Sequence, residues 1–171
     1  MEGITIRKAV PDDAPLVADL CRALLAYYEI DPPGTPGEMA HALRLNAFDM
    51  LSRIEILLAD LDGKTVGLLI FEEMYSVAVC HPVLFIQDLF VLAEARGRQV
   101  GQALMARLAR IADERAIEHV DWTADRWNRS AQRFYRRIGA TLRGEKLVYR
   151  LTGLRLARLS EEDRSATHEE I

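Results

Sequence analysis

The sequence predicts a mixed α/β domain built on one central sheet, and three observations carry that prediction. Strand-like runs and helix-like stripes interleave along the chain, so helices return it between some of the strands. The run Val83 to Leu92, "VLFIQDLFVL", is almost continuously apolar, as in a strand buried on both faces. Asp62-Gly63 separates two further apolar runs, a strong signal for a tight hairpin between antiparallel neighbours. A chain of 171 residues, half of them apolar and 28% charged, has the size and composition of one globular domain with an ordinary core.

The elements follow in order. "GITIRKA" alternates Ile4 and Ile6 with polar neighbours and reads as a short strand. "PDDAPLVADLCRALLAYYE" reads as a helix with Leu16, Val17, Leu20 and Leu24 on one face and Asp12 or Asp13 as its cap. Asp31 to Gly37 is a loop by its prolines and glycines, and a second helix is expected from Glu38 to about Leu51. "IEILLAD" and "TVGLLIFEEMY" are the hairpin strands, and Val83–Leu92 is the central one. Val100, Leu104, Leu108 and Ile111 then form a clear helical stripe. "EHVDWTA" is a strand, Ser130 to Ile138 a short helix stopped by Gly139, and "KLVYRLTG" (Lys146 to Gly153) a final strand. One more short strand after Gly139 brings the expected sheet to six or seven strands, mostly antiparallel, flanked by about four helices. Residues 1–155 are read as a single domain and 156–171 as a polar, acidic, frayed tail.

Composition removes several function classes. A net charge of −4 leaves no global basic field for nucleic acid, so the arginines act locally. Cys21 and Cys80 suggest neither a disulfide framework nor a zinc site, and no metal is expected. The N-terminus lacks an apolar signal core, and no run approaches the roughly 18 apolar residues of a membrane helix, so a cytoplasmic protein without a membrane partner is expected.

Two segments are able to carry chemistry. In "LFVLAEARGRQVGQAL" a buried strand enters a loop rich in arginine and glycine that opens a helix. The first N–H groups of a helix lack internal acceptors and lie at the positive end of its dipole, so with Arg96 and Arg98 this is either a phosphate cradle or a solvated turn. In "DWTADRWNRSAQRFYRRIGA" a strand and a loop with Asn128 lead into a helix carrying Tyr135, which either faces a ligand or joins Phe134 on a buried face. There is no G-x-x-x-x-G-K-[ST] and no G-x-G-x-x-G after an early strand.

Together the two segments resemble the Gcn5-related N-acetyltransferase superfamily. Its cofactor motif, [QR]-x-x-G-x-[GA], corresponds to Arg96-Gly97-Arg98-Gln99-Val100-Gly101, and its second segment corresponds to Asn128, Ala131, Phe134, Tyr135, Gly139 and Ala140. A narrower resemblance is to the diamine (spermidine/spermine) and thialysine branch, through "IQDLFVLAEARGRQVGQAL", "WNRSAQRFYRRIGA" and "ALLAYYE". The resemblance implies acetyl-CoA as co-substrate, a small amine as acceptor, and frequent homodimers. It implies that Leu89, Phe90 and Val91 bond the pantetheine arm through backbone groups. It likewise gives Arg96, Gly97, Arg98, Gln99, Val100, Gly101 and Gln102 the pyrophosphate, and Asn128, Ser130 and Ala131 the far side of CoA. Tyr135 becomes the general acid for the leaving thiolate, a role a phenol with pKa near 10 can fill.

Two positions depart from the pattern. Gln99 stands where the motif prefers glycine. Gln87 stands where the branch carries a glutamate proposed as a base, and amide nitrogen cannot take up that proton. Regular alternation puts Gln87 and its neighbour Asp88 on opposite faces, so Asp88 can replace the glutamate only if the strand bulges. Glu72, Glu73 and Glu29 are further carboxylates, and Tyr27 and Tyr28 beside Glu29 form a cation-binding lip or the exposed end of a helix. Tyr28, Glu29, Gln87 and Asp88 are therefore the acceptor-side candidates. The competing expectations are a sensor that binds acyl-CoA without turnover and an enzyme acting on peptide or protein amines.

Overall fold

The computed structural model describes the backbone of residues 3–168 and the side chains of residues 3–162. In order, the elements are β1 (Ile4–Lys8), α1 (Ala14–Tyr27), α2 (Pro36–Asn46), β2 (Ile54–Leu61), β3 (Lys64–Ser76), β4 (His81–Val91), α3 (Val100–Glu114), β5 (Val120–Trp122), α4 (Arg129–Arg137) and α5 (Gly153–His168). Short 3-10 turns precede α1 and follow β4. The chain forms two compact units, Met1–Arg129 and Ser130–Ile171.

The first unit holds a five-stranded sheet in the order β1-β2-β3-β4-β5, antiparallel throughout except for the parallel pair β4 and β5. The β2–β3 turn places both Asp62 (φ 52°) and Gly63 (φ 80°) in the left-handed region, the two-residue turn whose twist matches the strands it joins. Each face of the sheet has its own core. Leu57, Leu69, Phe71, Leu84 and Ile86 pack with Val100, Leu104 and Leu108 of α3 on one side. Ile56, Leu58, Leu68, Ile70 and Phe90 pack with Val17, Leu20 and Leu24 of α1 on the other. The stripe expected on α3 is thus buried at Val100, Leu104, Leu108 and Ile111.

Helix ends differ from expectation for identifiable reasons. Asp13 stands at the N-cap of α1 but does not cap it with its side chain. Its carboxylate instead accepts from both terminal nitrogens of Arg7, at 2.7 and 2.9 Å, and from the Val10 N–H at 2.8 Å. α2 begins earlier than expected because Thr35 and Glu38 form a capping box with Pro36 at the first helical position.

The second unit contains α4 and α5. Lys146–Gly153, expected as the last strand, is irregular as far as Thr152 and enters α5 at Gly153, so among the described residues the sheet has five strands rather than six or seven. A strand needs a ladder partner and a face to bury, yet Leu147, Val148 and Tyr149 are all exposed. The segment read as a frayed tail is instead helical to His168, consistent with the Leu, Arg, Ala and Glu that fill it; residues 169–171 of that segment lie outside the described residues.

Candidate active site at the end of the fourth strand

The site begins with a fault in the β3–β4 ladder. Gly67 to Ile70 pair with Val91 to Asp88, but Phe71 pairs with Ile86, so Gln87 is one residue too many and forms a β-bulge. Facing reveals the consequence. Ile86 and Leu89 lie against the α3 core and Phe90 lies in the α1 core, so the alternation resets across the bulge. Gln87 and Asp88 both turn to the α1 side, where Gln87 Nε2 donates to Glu72 Oε1 at 3.0 Å. The condition under which Asp88 stands in for a missing glutamate is met.

Beyond the bulge, β4 has an open edge. β5 reaches only from Val120 opposite Leu84 to Trp122 opposite Ile86. The Leu92 N–H bonds the Val66 carbonyl on β3. Because antiparallel residues alternate in the direction of their backbone groups, those of Leu89 and Val91 point away from β3, toward the side where β5 has ended. One of them is engaged: Arg96 Nε donates to the Val91 carbonyl at 3.0 Å.

The loop that follows turns through two left-handed residues. Gly97 has φ 79°, and Gln99, the N-cap of α3, has φ 66° and ψ 7°. The motif's preference for glycine at position 99 is explained by that backbone, since a Cβ there costs about 1–2 kcal/mol. The first helical bond is Ala103 N–H to Gln99 C=O, so the N–H groups of Val100, Gly101 and Gln102 lie ahead of it. Arg98 does not point along this cradle: its guanidinium pairs with Asp62 of the β2–β3 turn at 3.0 Å.

An aromatic cluster closes the site on the α1 side. Tyr27 and Tyr28 meet edge to face at 5.3 Å, and Trp127 lies 6.0 Å from Tyr27 and 5.6 Å from Tyr28. Phe90 lies 6.4 Å from Tyr27. Arg96 Cζ stands over the Tyr27 ring at 4.8 Å and the Phe90 ring at 5.7 Å. Tyr28 is hydrogen-bonded to Asn128, and burial followed by the negative charge of Asp125 raises its pKa.

Asp88 is half-buried, and burial alone holds its carboxyl above the usual range. No hydrogen bond or ion pair among the described residues engages it. Its charge is felt at Tyr28 and at Cys21, whose thiol is pushed up to about 11, mainly by burial and then by Asp88. A half-desolvated carboxylate without a counter-ion, beside an open strand edge and a helix start, has the makings of a proton acceptor.

Comparison with known proteins shows the family. Residues 19–140 match the profile described as "Acetyltransferase (GNAT) family". The chain belongs to this family. A solved structure, integron cassette protein VCH_CASS6 from the mobile metagenome of V. cholerae, is 28% identical with a TM-score of 0.84, over 94% of this chain and 99% of that one. An aminoglycoside acetyltransferase, meta-AAC0020 from an uncultured soil metagenomic sample, shares the fold at 23% identity and TM-score 0.74, over 89% and 97% of the two chains. L-ornithine N5-acetyltransferase NATA1 of Arabidopsis thaliana is 28% identical over 92 residues, 54% of this chain and 40% of that protein's length. The family's chemistry is acetyl-CoA-dependent N-acetyl transfer.

The remaining GNAT motif residues lie partly in the second unit. Tyr135 is half-buried on α4, its ring 5.4 Å from that of Phe134, and Arg137 Cζ stands 5.7 Å from the Phe134 centroid. Ser130 is exposed and Ala131 half-buried on the same helix. Glu29 is exposed at the C-terminus of α1 with φ 56°. The structure therefore assembles Tyr28, Asp88, Phe90, Arg96 and Asn128 in the first unit. Tyr27 was legible as one half of a cation-binding lip or a helix end, and Trp127 only as a motif flank. Among the described residues no group of three or more His, Cys, Asp or Glu is placed to hold a metal ion, and no helix is long and apolar enough to cross a membrane.

A second cleft of about 610 Å³ lies elsewhere, lined by Lys8, Phe48, Arg53, Glu55, Glu73 and Arg115 among others. Its charges neutralise one another: Arg115 bonds Glu55 at 2.6 Å and Lys8 bonds Glu55 at 2.8 Å. It shares no residue with the β4 edge or the α3 cradle.

Proposed function

We propose that the chain transfers the acetyl group of acetyl-CoA to a primary amine of a small cationic acceptor, diamine- or polyamine-like or amino-acid-like, by direct attack in a ternary complex. The observation that carries this reading is the bulge at Gln87, which turns Asp88 onto the acceptor side next to the open edge of β4. Aminolysis of a thioester needs a neutral amine, a held carbonyl and a protonated leaving sulfur. Asp88 takes the amine proton. Leu89 and Val91 carry the pantetheine arm through backbone groups, whereas those of Phe90, expected to share that role, face β3. Gly97, Gln99, Val100, Gly101 and Gln102 cradle the pyrophosphate through backbone groups, Arg96 and Arg98 leave the Val91 carbonyl and Asp62 to reach it, and the family motif gives Asn128, Ser130 and Ala131 the other side of CoA. Tyr135 gives its proton to the thiolate, a role that rests on the family motif. Positioning then supplies much of the acceleration. The name of the Arabidopsis relative gives ornithine as its acceptor, an amino acid with a second amine, which supports a small dicationic class.

The test is release of CoA thiol from acetyl-CoA with a panel of diamines, basic amino acids, aminoglycosides and peptides. Turnover with a small diamine or basic amino acid is expected. Tight acetyl-CoA binding with no thiol release across the panel would favour a sensor instead. A homodimer and a cytoplasmic location complete the reading. The exposed Leu147, Val148, Tyr149 and Leu154 support the dimer, and a monomer mass by light scattering would remove it.

A further inference from the structure

Arg96 is out of place for a pyrophosphate ligand. It immediately precedes Gly97, yet its guanidinium lies back over Tyr27 and Phe90 with Nε on the Val91 carbonyl. Two groups that a ternary complex needs are thereby held by one side chain. The Val91 carbonyl lies on the open edge of β4, and the Tyr27 ring, 37% exposed, is the accessible wall on the acceptor side. Phe90 beneath it is 6% exposed and forms a floor.

A ring face that accepts a guanidinium at 4.8 Å is a surface for cations. On the same side of the sheet stands the half-buried Asp88, which no hydrogen bond or ion pair among the described residues engages and whose charge is felt at Tyr28. A diphosphate at the start of α3 offers that guanidinium two charge-assisted bonds in place of one bond to a neutral carbonyl. Once Arg96 turns to the diphosphate, the ring face and the carbonyl lose their cation together.

We propose that the Tyr27 face, floored by Phe90 and flanked by Trp127, is a cation seat, filled by Arg96 in the unliganded chain and by the acceptor's second cationic group once acetyl-CoA has drawn Arg96 away. This rests on the acetyltransferase reading and adds the residues that select a dicationic acceptor. It also sets an order: the acceptor's distal cation binds well only after the co-substrate.

The experiment compares 1,5-diaminopentane with 1-aminopentane, which share the reacting end and differ only at the far one. In the wild type kcat/KM favours the diamine. Tyr27→Leu should lower the diamine-to-monoamine ratio of kcat/KM by about fivefold, while Tyr27→Phe, which keeps a ring face, preserves the preference. A preference that survives Tyr27→Leu overturns the seat. Calorimetry reads the seat independently of turnover. Diamine should bind the wild type only with CoA present and should bind Arg96→Met without it. Equal, CoA-independent binding to both proteins, or no binding to Arg96→Met, overturns the exchange. If no amine of either kind is acetylated but Arg96→Met still binds diamine, the acetyltransferase reading fails and the seat stands.

Discussion

At the scale of single residues, two side chains do unequal work in the same turn of strand. Gln87 is the extra residue of the bulge and is anchored to Glu72, whereas Asp88 is half-buried with only burial acting on it. Asp88→Asn should lower kcat/KM by about 10²-fold, the usual loss for a general base, while Gln87→Ala costs far less. The pH profile separates proton transfer from packing. The carboxylate must be ionised to act, and its pKa is raised, so the acidic limb lies above the ordinary aspartate range and vanishes in Asp88→Asn. A limb unchanged in the variant assigns the proton to another group. Tyr135→Phe should likewise cost about 10²-fold in turnover with acetyl-CoA affinity intact; normal turnover removes Tyr135 from the mechanism. The family motif showed that the glutamate was missing and left Asp88, Glu72, Glu73 and Glu29 as carboxylates that could replace it. It did not show the facing, because alternation can be counted from either end of an apolar strand and a bulge changes the count. The sign was there all the same: two adjacent polar residues inside a continuous apolar run.

At the scale of elements, left-handed residues end or begin three helices. α1, α3 and α4 each finish with one: Ile30 N–H to Leu25 C=O, Ile117 N–H to Ala112 C=O, and Ala140 N–H to Tyr135 C=O close the same six-residue loop. The residue inside it is Glu29 (φ 56°), Ala116 (φ 54°) or Gly139 (φ 93°). Gly139 was readable as a stop because glycine announces itself; Glu29 and Ala116 were not, since nothing in their side chains predicts positive φ. Ala116→Gly, distant from the β4 edge in sequence and role, should stabilise the protein by roughly 0.5–1 kcal/mol, the left-handed strain less glycine's entropy. For a chain of this size that is about 1–4 °C in Tm by calorimetry. A lower Tm would show that the strain is relieved some other way. Deleting Gln87 tests the bulge as an element. The residues on either side keep their faces, so circular dichroism should stay native, but the edge straightens and turnover should fall by about 10²-fold, as expected for misplacement of roughly 1 Å. The missing last strand teaches the converse. "KLVYRLTG" has the alternation of a strand, but alternation states only that a segment could pair, and pairing requires a neighbour.

At the scale of the whole molecule, the sheet was legible because hydrophobic burial dictates pattern, whereas the staples that lock its edges are polar and were not. Arg7 on β1 donates to Asp13 just ahead of α1 and, through Nε at 3.0 Å, to Asp60 on β2, tying the first strand, the first helix and the second strand through one guanidinium. The sequence offered Asp12 or Asp13 to the helix as a cap, and for Asp13 the ion pair with Arg7 displaced that local role. The hydrogen bond from Arg7 is the chief cause that holds the Asp13 carboxyl below its ordinary 3.8. A depressed carboxyl binds fewer protons folded than unfolded, so its contribution is present above 3.8 and is lost as pH falls through the folded value. Asp88 works in the opposite sense: its raised carboxyl binds more protons when folded, so the cost of charging it disappears in acid and cannot cause acid unfolding. Denaturant titrations at pH 7 and pH 3 should therefore show the wild type losing more stability than Asp13→Asn, which has no charge to lose at that site. Asp88→Asn should be more stable than the wild type at pH 7 and lose that advantage at pH 3. Parallel losses in the wild type and Asp13→Asn would place the acid sensitivity of this fold elsewhere than in the Arg7 staple.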